Sequence, residues 1–142
     1  MGQEIDILFI EERLTNKLTE LHGRDKFAEN LNIKIAFSLR EALAWLDQDH
    51  FDLAVLDMEV REPDNLKTVL SILLNAKDLP ILVVTESTQA KFLFERMNLG
   101  TEFYVARSKF DPANFHDKAS FLIETYKIAN TDLHLFKSNF LL

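Results

Sequence analysis

A chain of 142 residues, 47% hydrophobic and 27% charged, is one domain's worth of ordinary globular sequence. The absence of Cys excludes disulfides, thiolate metal sites and cysteine nucleophiles, and a net charge of −7 with scattered Lys and Arg argues against a nucleic-acid binder. No apolar run approaches the ~18 residues of a membrane span, and the opening MGQEIDILF lacks the basic region of a secretory signal, so a cytoplasmic protein away from membranes is expected.

Ile5 to Ile10 form a first strand-like apolar run. Leu14, Leu18 and Leu21 then fall at helical spacing, with Phe27 and Leu31 following after Gly23. A second strand is predicted over Ile33 to Phe37. Ser38-Leu39-Arg40-Glu41 reads as a capping box, opening a helix that carries Ala42, Leu43 and Leu46; Trp45 on it is expected to pack. Leu53 to Leu56 make a third strand, and Asp64 caps a helix with Leu66, Val69, Leu70 and Leu73. Ile81 to Val84 make a fourth strand. A helix from about Thr88 to Leu99 stops at Gly100. Phe103 to Ala106 make a fifth strand, and Asp111-Pro112 starts a last helix with Phe115, Ala119, Leu122 and Tyr126.

Strands that are nearly all apolar are covered on both faces. Five alternating strand–helix units therefore predict an α/β fold: a doubly wound parallel sheet with helices on both faces. The domain is expected over 1–129, with an apolar extension over 130–142. In such a sheet the ligand site lies at the carboxyl ends of the strands. That rule selects Glu11 and Glu12, Asp57, Thr85, and Arg107, with Lys109 two residues on. Three carboxylates, a hydroxyl and a cation at one edge suit Mg²⁺, which prefers oxygen ligands and retained waters. The four His residues lie far apart in sequence and make no metal-binding pattern. With three Gly in the chain and none in a phosphate-cradling loop, a nucleotide- or flavin-binding enzyme is disfavoured.

The order of these segments resembles the receiver domains of response regulators, over about Ile5 to Tyr126. Ile7 to Glu12 is similar to that family's first strand and acidic pair. Ser38 to Leu43 is similar to the opening of its second helix, and Phe51 to Asp57 to its third strand ending in the phosphoacceptor. Leu79 to Thr85 is similar to its fourth strand ending in Thr or Ser, and Gly100 to Val105 to its fifth strand with a switch aromatic. The resemblance implies a flavodoxin-like sheet of strand order 2-1-3-4-5. It also implies a non-enzymatic phosphorelay module whose Asp57 accepts a phosphoryl group from a histidine kinase or phosphotransfer protein. Glu11, Glu12, Asp57 and the backbone carbonyl of Glu59 would hold Mg²⁺. Thr85 and Arg107 would contact the phosphoryl group, and Tyr104 would be the switch. A downstream protein would read the face made by the fourth and fifth helices and the fifth strand. A homodimer through that face or the C-terminal tail is a further expectation.

The chain departs from the family pattern around this site. Glu11-Glu12 stands where at least one Asp is usual, and each Glu carries its carboxylate about 1.5 Å further out. Arg107-Ser108 replaces Lys-Pro, and a guanidinium fork is suited to clamping Asp57; Lys109 is the alternative cation. These departures favour an atypical receiver. They leave open a pseudo-receiver that binds partners without phosphorylation.

Overall fold

The computed structural model describes residues 4–11, 30–57, 79–85, 104–106 and 109–140. The helices expected around Leu14, Leu66 and Thr88 lie outside these residues. Among the described residues there are five strands: β1 (Ile5–Glu11), β2 (Leu31–Ala36), β3 (Leu53–Asp57), β4 (Ile81–Val84) and β5 (Tyr104–Val105). All pairings are parallel, in the order β2-β1-β3-β4-β5. Two α-helices are described, α1 (Leu39–Gln48) and α2 (Phe115–Phe140).

The expected doubly wound architecture is present, and its cause is visible in the strands. β3 and β4 are buried at every position, β1 at all but one, while the edge strand β2 is largely half-buried. Successive strand residues point to opposite faces. Leu8, Ile10, Ala54, Leu56, Ile81 and Val83 accordingly pack on one face with Ala42, Leu39, Trp45 and Leu46 of α1. Ile7, Phe9, Leu53, Val55, Leu82 and Val84 pack on the other with Phe115, Ala119 and Leu122 of α2. Phe110, in the turn before α2, joins this second core. Its ring lies 6.5 Å from Phe9 and 5.2 Å from Phe115, and Phe9 and Phe115 are 5.8 Å apart.

Three local details differ from the expectations. Leu31, expected on a helix, opens β2 because it is the register partner of Ile5. The fifth strand, expected to reach Ala106, ends at Val105, with Tyr104 and Val105 paired with Val83 and Val84. Asp111 caps a 3₁₀ turn, Pro112–Asn114, rather than the α-helix itself. Its carboxylate accepts from Ala113 N at 3.0 Å and Asn114 Nδ2 at 2.9 Å, and α2 follows from Phe115. That helix runs without interruption through position 130 to Phe140.

Ser38 is the N-cap of α1, with its hydroxyl accepting from Glu41 N at 3.1 Å. Glu41 returns the contact one residue earlier than a strict capping box, accepting from Phe37 N at 2.8 Å. Ser38→Ala is expected to cost about 1 kcal/mol, read as a lower urea midpoint with an unchanged slope. A change in the slope instead would mean the substitution reorganised more than the cap. Trp45 packs on the core as expected, and Lys34 Nζ sits 4.4 Å over its ring while pairing with Asp49 at 2.7 Å.

The amino-terminal edge of the sheet is tied by carboxylates. Asp52 N donates to Asp6 O at 2.8 Å, and Asp6 N donates back to Asp52 Oδ2 at 2.9 Å. Asn32 Nδ2 donates to Asp6 Oδ1 at 2.8 Å. These bonds align the starts of β1, β2 and β3, and so fix where the strands end at the opposite edge.

Candidate functional site

Three polar side chains are buried among the described residues: Glu11 at 1% exposure, and Asp57 and Thr85 at 0%. All three stand at carboxyl ends of strands, and the sequence singles out all three. Glu11 is the last residue of β1 and Asp57 the last of β3, and the two are register partners. Asp57 is in turn the partner of Val84, so Thr85 follows one position beyond it on the neighbouring strand. The backbone of Thr85 is held by its N–H, which donates to Val105 O at 3.1 Å. This hydrogen bond carries the end of β4 over to β5.

The site also falls where the sheet's direction of winding reverses. From β1 the chain moves outward to β2, then crosses back to β3 on the other side of β1. Glu11 and Asp57 flank this switch point, the place where sheets of this kind bind their ligands. Neighbouring strands lie ~4.8 Å apart. Two carboxylates that end neighbouring strands disfavour each other's charge. Burial adds a desolvation cost for each charge. Such a pair is a place for positive charge.

The donor chemistry fits a small hard cation. Mg²⁺ is commonly held by one or two carboxylates while keeping several waters, and Glu11 and Asp57 supply two carboxylates. No group of three or more His, Asp or Glu suited to a metal occurs among the described residues. Glu12, Glu59 and Arg107 lie outside those residues. Tyr104 is in β5, opposite Val83. Lys109 is exposed, and its N–H donates to Ala106 O at 2.9 Å.

Two clefts open at the other edge of the sheet. One, about 320 Å³, is lined by Asp6, Asn32, Lys34, Asp49, His50 and Phe51. The other, about 280 Å³, lies between the start of β1 and α2, beside His116 and Ser120. Asp6 and Asn32 in the first and Asp52 in the second belong to the strand-aligning network described above, and neither cleft holds the buried carboxylates.

No protein-family model and no curated protein matches the sequence. Solved structures do match the fold. A response-regulator receiver domain from Francisella superposes with a TM-score of 0.63 at 16% identity, covering 86% of this chain and 98% of that one. A CheY-like receiver domain protein from Methanospirillum hungatei JF-1 gives 0.62 at 16% identity, over 89% and 99% of the two chains. The chemotaxis response regulator CheY4 of Vibrio cholerae gives 0.57 at 19% identity, over 87% and 99%.

The chain has the receiver-domain fold.

The resemblance read from the sequence thus holds for the architecture, including the expected strand order. The receiver fold sets Asp57 at the carboxyl end of the central strand, with Glu11 and Thr85 on either side. Among the described residues, no helix is long and apolar enough to cross a membrane.

Proposed function

We propose that this chain is an atypical response-regulator receiver, a signalling module that takes a phosphoryl group onto Asp57 in the presence of Mg²⁺. The observation that carries the reading is the burial of Asp57 at the end of β3 between Glu11 and Thr85, at the switch point of a receiver-type sheet. Charge and composition fit a cytoplasmic chain whose partners are proteins.

In this reading Asp57 is a nucleophile. One carboxylate oxygen attacks the phosphorus of a phosphohistidine on a kinase or phosphotransfer protein. The P–N bond breaks as the P–O bond forms, and the leaving imidazole nitrogen takes up a proton. The product is an aspartyl phosphate. When bound, Mg²⁺ supplies positive charge to the oxygens of the transferring group. Glu11 and Asp57 would hold it, together with Glu12 and the carbonyl of Glu59. The hydroxyl of Thr85 would donate to a phosphoryl oxygen, and Arg107 or Lys109 would bring the balancing cation. Tyr104, one strand position before the end of the β4–β5 pairing, would report the change to the surface that a downstream protein reads. The module is consumed stoichiometrically, not turned over as an enzyme.

Treatment with acetyl phosphate and Mg²⁺, followed by intact-mass measurement, tests this. The expected result is one added phosphoryl group, lost when Mg²⁺ is chelated and absent in Asp57→Asn. An unmodified mass in the presence of Mg²⁺ would overturn it. That outcome favours the second reading, a pseudo-receiver, which the Glu11-Glu12 pair and Arg107-Ser108 motivate. A pseudo-receiver predicts equal partner binding by the wild type and Asp57→Asn.

A further inference from the structure

We draw no further inference here: the strongest candidate, the cleft lined by Glu4, Asp52, His116 and Glu124 between the start of β1 and α2, carries nothing, because the unpartnered His116 Nε2 beside it is closed off from solvent and hence from any ligand in the cleft, which leaves a bare acidic cluster.

Discussion

Phe9→Ala is expected to destabilise the fold by about 3–5 kcal/mol, the largest single-residue loss this structure predicts. Phe9 is fully buried in the middle of β1 and touches two other rings, Phe110 and Phe115. Its removal takes away the buried ring's transfer free energy. It also leaves a void that a parallel sheet on one side and α2 on the other cannot collapse to fill. The ring pairs add roughly 0.5–1.5 kcal/mol each beyond area burial. Against a typical total stability of about 5–15 kcal/mol, this is a shift of the urea midpoint large enough to read without ambiguity. Phe121→Ala is the matched comparison. That ring is 58% exposed, and its loss should stay within about 0.5 kcal/mol. Equal costs for the two substitutions would mean that Phe9 does not occupy the core between β1 and α2.

Mg²⁺ is expected to stabilise the wild-type chain and to leave Asp57→Asn unchanged. Glu11 and Asp57 end neighbouring strands as register partners, and both are buried. A cation that binds them in the folded state, and has no such pair in the unfolded chain, stabilises by linkage. At about 100 times its dissociation constant the gain is about 2.7 kcal/mol. Thermal unfolding with increasing Mg²⁺ measures it. Asp49→Asn, at the opposite edge where Asp49 pairs with Lys34, should keep the full response. If Asp57→Asn responds as the wild type does, the ion binds elsewhere and the site assignment fails. This experiment needs no phosphodonor, so it separates metal binding from phosphoryl transfer.

The departures around Asp57 bear on chemistry rather than on fold. Glu11 lies in a buried position that the strand pairing sets directly beside Asp57. Its extra methylene changes where the carboxylate sits, by about 1.5 Å relative to an Asp, in a shell where Mg²⁺ asks for near-octahedral geometry at ~2.0–2.1 Å. Glu11→Asp is therefore the natural substitution for asking whether the longer side chain slows phosphoryl transfer. The two readings, phosphorylatable receiver and pseudo-receiver, share the same sheet and differ in what these few side chains permit.

Much of the architecture was legible in the amino-acid sequence because its causes are local. β1, β3 and β4 are buried on both faces, and a strand in that position has to be a continuous apolar run. Ser38 three residues before Glu41 marks a helix start through hydrogen bonds that span four residues. Asp57, Glu11 and Thr85 were legible as site candidates because each is a polar residue that abruptly ends an apolar run. Only the tertiary structure decided what sits beside what. That Glu11 faces Asp57 is a matter of register between strands 46 positions apart in sequence, and no periodicity within either strand encodes it. Leu31 belongs to β2 because Ile5 is its partner, although its spacing suits a helix equally well. Phe110 enters the core because the turn before α2 carries its ring against Phe9 and Phe115. The reason is the same in each case: propensity and pattern act over a few residues, whereas pairing, register and burial are set by surfaces that meet only when the whole sheet is assembled.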